Sequence, residues 1–290
     1  MRYSITHRTS YRYASAVTAS HTIAHLLPRT SDGQQVLEAS VDLWPVPDHR
    51  HDHVDAFGND VVYFNVNGVH DELVITGRSQ VSVSDEPATP GSTLAWDDVA
   101  LQLASQLGHD ALLARLCTLD SAYVVRSPEL AQYAMPSFAP GRRLADALAD
   151  LTHRIFVDFV FDPSFSDVST PLSEVLDHRR GVCQDFAHLA IGCLRTLGLP
   201  ARYVSGYIET FPPPGEEKLV GSDASHAWLA VYDPQAGWLD ADPTNDQVPP
   251  RHHVTTAWGR DYADVAPARG VVFGPPGNHQ LTVAVDVARI

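Results

Sequence analysis

Apolar residues along this 290-residue chain change their spacing twice, and each change limits what the chain can fold into. From Tyr3 to about Ser84 the period is two. Tyr3, Ile5, His7, Thr9, Tyr11 and Tyr13 alternate with mostly polar neighbours, the pattern of half-buried strands. F-G-N-D at Phe57 to Asp60 is a turn signal before the β-rich V-V-Y-F-N-V. Ser84 to Thr93, dense in turn formers, reads as a linker. Beyond it Leu101, Leu103, Leu107, Leu112, Leu113 and Leu116, then Leu144, Leu148, Leu151, Ile155 and Phe156, suggest helices. From Ala201 the chain returns to strands, and the alternating L-T-V-A-V-D-V predicts a terminal one. The expected class is α+β. An antiparallel β-rich domain covers 1–84, a helical connection 85–150, a core 151–265 and a C-terminal strand segment 266–290.

Within the core, G-V-C-Q-D-F-A places Cys183 directly after a short apolar stripe (Leu172, Val175, Leu176) and Gly181, where a helix should stop. Phe186, Leu189, Ala190, Cys193, Leu194 and Leu197 then recur at helical spacing up to G-L-P at Gly198 to Pro200. Cys183 therefore falls in the first turn of a buried helix. Alone it reads as a small hydrophobe, as most free cysteines do. Unpaired amides and the helix dipole favour an anionic sulfur there, but the dipole supplies only roughly 1 kcal/mol. A stable thiolate requires an imidazolium partner.

Among 15 histidines, His226 has the distinctive setting. In S-H-A-W-L-A-V-Y-D-P-Q-A-G-W-L-D-A-D-P-T-N two strands flank a turn at Asp233 to Gly237, so His226 and Trp228 come opposite Asp242 and Thr244. An imidazole and a carboxylate meet across such a hairpin, the orienting pair that a cysteine nucleophile needs. Alternation places both Asp240 and Asp242 on the relevant face and does not choose between them.

G-V-C-Q-D-F-A, S-H-A-W and G-W-L-D-A-D-P-T-N, in this order, resemble the three core motifs of the transglutaminase-like superfamily, bacterial branch. T-H-R-T-S-Y-R-Y and D-A-F-G-N-D are similar to the β-rich region that precedes this core in the bacterial proteins, and the C-terminal sequence is similar to their ending. The resemblance implies a papain-like geometry, with a central helix carrying the cysteine and an antiparallel sheet carrying histidine and aspartate. It makes Cys183 the nucleophile, His226 the general base and acid, and Asp242 the orienting group. Oxyanion donors would be the Cys183 N–H and a second group, for which Gln184 and Trp228 are candidates. The implied chemistry is thiol-mediated acyl transfer on peptide or protein amides, with hydrolysis favoured over cross-linking. The alternative is a binding or assembly module on the same fold.

A net charge of −15 argues against nucleic acid or anionic membrane as partner. The first ten residues lack a leader-like apolar run and no stretch reaches spanning length, so a cytoplasmic protein is expected. Cys117, Cys183 and Cys193 form no C-x-x-C pair, and Cys117 and Cys193 sit on core stripes. His188 is read as solvated or as a core hydrogen-bonder. H-R-H-D-H (His49 to His53), with His21 and His25, is read as a loop without a completing ligand set, and no calcium loop occurs, so neither metal nor cofactor is expected. Phe211 to Asp223, just before His226, is read as a lid over the cleft or as a long connection.

Overall fold

The computed structural model describes residues 1–84, 93–209, 225–248, 252–275 and 277–290; the segment read as a lid and most of the linker lie outside them. Two long strands organise the first sheet: β1 (Arg2–Ala24) and β4 (Asp60–Val83), antiparallel from Tyr3 opposite Val81 to Ala24 opposite Val62. The alternation of β1 buries Tyr3, Ile5, His7 and Thr9. The register slips between Arg12 and Ala19, and different partners flank the two halves. β2 (Gln34–Trp44) pairs with the end of β4 and β3 (His49–Val54) with its start. The H-R-H-D-H run is therefore an exposed strand and not a loop, because V-V-Y-F-N offers it a pairing edge across the F-G-N-D turn. In that turn Asp55 Oδ1 accepts from the N–H groups of Phe57 and Asn59 at 2.8 and 2.9 Å, and Gly58 takes φ +77°.

The helical middle contains α1 (Val99–Ser105), α2 (His109–Leu116), α3 (Pro128–Ala134) and α4 (Leu144–Asp158). Gly108, at φ +123°, separates α1 from α2. Leu144, Leu148, Leu151 and Ile155 form the buried stripe of α4. A short parallel pair, β5 (Val160–Phe161) and β6 (Arg180–Gly181), brackets α5 (Leu172–His178) and leads into α6 (Cys183–Thr196). α6 is the central helix, buried on nearly every face after its first turn.

β7 (Ala201–Ile208), β8 (Ser225–Asp233), β9 (Gly237–Ala241) and β10 (His253–Gly259) make an antiparallel sheet in the order β10-β7-β8-β9. Tyr203, Ala227, Leu229, Val231, Ala241 and Ala257 join α6 and α4 in the main core, while Val204, Trp228 and Ala230 pack separately with Trp238 and Trp258. After α7 (Tyr262–Val265), β11 (Ala268–Phe273) and β12 (His279–Arg289) pair with the two halves of β1, so the chain's end completes the sheet in which it began. Among the described residues no helix is long and apolar enough to cross a membrane.

The two sheets meet along β10, the edge strand of the second. Side-chain amides occupy its outer edge as a neighbouring strand would. Gln34 donates to Thr255 O at 2.7 Å and accepts from Thr255 N at 2.8 Å. Asn59, fully buried, donates to Trp258 O at 2.8 Å and accepts from Trp258 N at 2.9 Å. Asn59→Ala orphans both backbone groups of Trp258, and unfolding in urea should show a loss of about 2–4 kcal/mol. Arg50→Ala, which removes an exposed pair with Asp52, should cost under about 1 kcal/mol.

Candidate active site

Three neighbours place Cys183 at the first position of α6. Val182 is extended at φ −118° and ψ −178°, and its N–H donates to Asp185 Oδ2 at 2.8 Å. Asp185 can fold back only because residue 181 is glycine: a Cβ there would lie 2.8 Å from both Cβ and Oδ2 of Asp185. Gly181 is thus not the helix stop expected from its sequence position. α5 ends at Arg179, which itself takes the left-handed conformation at φ +55°, while Gly181 pairs with Phe161.

The first intrahelical bond of α6 is Phe186 N–H to Val182 O at 3.1 Å. The amides of Cys183 and Gln184 precede it and have no helical carbonyl to meet. They form, with the dipole, an electropositive setting for a partly exposed sulfur. Cys117 and Cys193 are buried, and burial pushes their thiols up to about 11 and about 12.

The β8–β9 hairpin turns where expected, with Asp233 Oδ1 accepting from Gln235 N–H and Ala236 N–H and with Gly237 at φ +81°. Its register, Leu229 opposite Ala241 and Ala230 opposite Asp240, brings Asp242 towards His226. His226 Nε2 lies 2.8 Å from Asp242 Oδ2, and the ring also interacts with the Cys183 side chain. Burial opposes a charge on His226, but the bonds to Asp242 and Cys183 and the charge on each outweigh it and raise the ring to about 10. Asp242 is fully buried, which would raise its carboxyl; the hydrogen bonds from His226 and His253 hold it well below the usual carboxylate range.

Asp240 plays a different part. It accepts the indole N–H of Trp228 at 3.1 Å and faces the charge of Arg202, which is sandwiched between Trp238 and Trp258 at 4.1 and 3.7 Å. The ambiguity left by alternation is resolved in favour of Asp242. Trp228, its N–H engaged by Asp240, serves as packing, tilted 26° from the His226 ring at 6.0 Å. That ring fits against β7 because residue 206 is glycine: a Cβ would lie 2.7 Å from the indole and 2.0 Å from Val254 O. The Gln184 side-chain amide lies 3.4 Å from Val168 O. The indole N–H of Trp228 is therefore engaged elsewhere, while Gln184 keeps a second N–H in addition to the first-turn backbone amides.

Two further residues belong to the cluster. Asn245 Nδ2 donates to Asp242 Oδ2 at 2.7 Å, and His253 Nε2 lies 2.8 Å from the same oxygen. Asn245 stands inside the quoted D-A-D-P-T-N motif, but nothing local distinguishes His253 among the histidines. His188 is the core hydrogen-bonder, accepting from Tyr262 N–H at 3.1 Å. His21 pairs with the Tyr63 hydroxyl at 2.8 Å and His25 with Ala266 O at 3.2 Å.

Residues 3–82 match the bacterial transglutaminase-like N-terminal region, and residues 131–243, which contain Cys183, His226 and Asp242, match the transglutaminase-like superfamily core. The uncharacterized protein Rv2569c of Mycobacterium tuberculosis is 43% identical over 99% of this chain and 92% of its own length. A protein-glutamine gamma-glutamyltransferase of Pseudomonas aeruginosa is 38% identical over 78 residues, 27% of this chain and 12% of that protein. Among solved structures, a candidate cysteine protease from Cytophaga hutchinsonii shares the fold at a TM-score of 0.74 and 21% identity, over 99% of this chain and 90% of that one. The chain belongs to the transglutaminase-like superfamily, in the bacterial form that joins this N-terminal region to the transglutaminase-like core.

Proposed function

We propose that the protein is a cysteine-dependent acyl-transfer enzyme that hydrolyses amide or peptide bonds through a thioester on Cys183. One observation carries this reading: a single imidazole, His226, interacts with Cys183 and lies 2.8 Å from the buried Asp242. Cys183 Sγ attacks the amide carbonyl carbon, and the resulting oxyanion is held by the first-turn amides of α6. The C–N bond breaks as His226 gives its proton to the leaving amine. Water then attacks the thioester, His226 takes its proton, and the carboxylate leaves with the sulfur regenerated. An amine in place of water would give transamidation from the same thioester. Water is the acceptor always at hand, whereas an amine needs a site of its own. The substrate is a peptide or protein amide, and the net charge of −15 disfavours nucleic acid and anionic membrane. Three unpaired thiols suit a reducing compartment, in line with a cytoplasmic location.

Iodoacetamide at about pH 6 should alkylate Cys183 far faster than Cys117 or Cys193, and His226→Ala should remove most of the difference, as mass-spectrometric mapping would record. Cys183→Ala should fold normally and lose turnover in a screen of peptide and amide substrates; retained turnover would assign the chemistry elsewhere.

Asp242→Asn should lower kcat by orders of magnitude, because an amide neither favours the imidazolium nor sets its tautomer. Asp240→Asn, one step removed, should cost far less, and equal losses would reverse the choice of carboxylate.

His226 is held protonated up to about 10. Turnover, which needs its proton for the leaving amine, should fall as pH rises through that value, while alkylation, which needs only the anionic sulfur, should not.

A further inference from the structure

His253 lies outside the matched residues 131–243, yet it touches the same oxygen as His226. Resting on the proposed function, the geometry points to His253 as a positioning residue that holds the Asp242 carboxylate for His226, and to the N-terminal sheet as the element that sets its place.

Three nitrogens converge on Asp242 Oδ2: His226 Nε2 and His253 Nε2 at 2.8 Å and Asn245 Nδ2 at 2.7 Å. Thr244 N–H occupies the other oxygen at 2.9 Å. A carboxylate buried this completely is held by every donor it meets, and each donor fixes its rotation. The ligand-bearing atoms of His226, Asp242 and His253 all lie within 4.8 Å of one another, and both rings and the Asn245 amide lie within 2.8 Å of one oxygen. For His253 to donate, its Nε2 must carry the hydrogen.

The ring of His253 is fixed from several directions. Trp228 meets it edge-to-face at 4.9 Å, and the His226 ring lies 5.4 Å away. Asp240 and the charged His226 ring also face it. Its own strand, β10, is held along its outer edge by Gln34 and Asn59 of the N-terminal sheet. The preceding residue, His252, turns away with φ +62° and places Nδ1 3.2 Å from the Tyr3 hydroxyl on β1. Consecutive histidines thus face opposite ways, one onto the first strand of the chain and the other onto the carboxylate.

The test combines alkylation kinetics with histidine NMR on the full chain. In wild-type protein, 15N-edited spectra should show His253 protonated at Nε2 with a low-field proton; a ring protonated at Nδ1 alone overturns the proposal without any substitution. His253→Leu should slow alkylation of Cys183 at about pH 6 by about ten-fold, the scale of one charge-assisted hydrogen bond. His253→Gln, which keeps a donor, should restore most of the rate, and the low-field proton of His226 should move in both variants. A folded His253→Leu protein that alkylates at the wild-type rate overturns the role of His253. Ordinary reactivity of Cys183 in the wild type would instead refute the proposed function, so the two failures are distinguishable.

Discussion

A buried carboxylate governs this structure. Removing Asp242 from water costs several kcal/mol unless its charge is compensated, and the fold supplies a donor from each direction. His226 comes from β8, Thr244 and Asn245 from the turn after β9, and His253 from β10. The carboxylate, together with Cys183, in turn outweighs the burial of His226 and favours its charged form. The charge beside the sulfur therefore depends on an arrangement of strands and not on the helix dipole alone.

A second, half-buried carboxylate lies two residues away and is kept separate. Asp240 is opposed by Arg202 and takes the Trp228 indole N–H. Arg202 lies between two tryptophans, and burial lowers its guanidinium to about 9. Arg29 from the first sheet extends the stack, 3.3 Å from the ring of Trp258. The two aspartates on one strand face thus have different partners: one orients a histidine, the other anchors the sheet to the N-terminal region.

That region is more than a neighbour. β10 would be an exposed edge with unpaired backbone groups, and the side-chain amides of Gln34 and Asn59 pair it instead. Apolar contact adds to this where Tyr3, Ile5 and Val81 pack with Tyr207 and Val254, and with Val285 and Val287 from the chain's end. The strand that carries His253 therefore owes its position to residues more than 190 places earlier in the sequence.

Much was legible locally because it rests on short-range rules. Periodicity located the β-rich start, the helical middle and the hairpin, and three ordered motifs singled out Cys183, His226 and Asp242. Gly181 was misread, since a glycine after an apolar stripe looks like a helix stop whether it supplies a left-handed turn or room for Asp185. The β3 histidines looked like a loop because nothing nearby revealed the edge of β4. By itself, the sequence determined most of the elements and put forward Cys183, His226 and an aspartate after the hairpin, because hydrophobic period, turn chemistry and motif spacing act over a few residues. Only the tertiary structure decided between Asp240 and Asp242, engaged the indole of Trp228, closed β11 and β12 onto β1, and brought His253 to Asp242. Each of these depends on strand register and on contacts between distant segments, which appear only when the chain closes on itself.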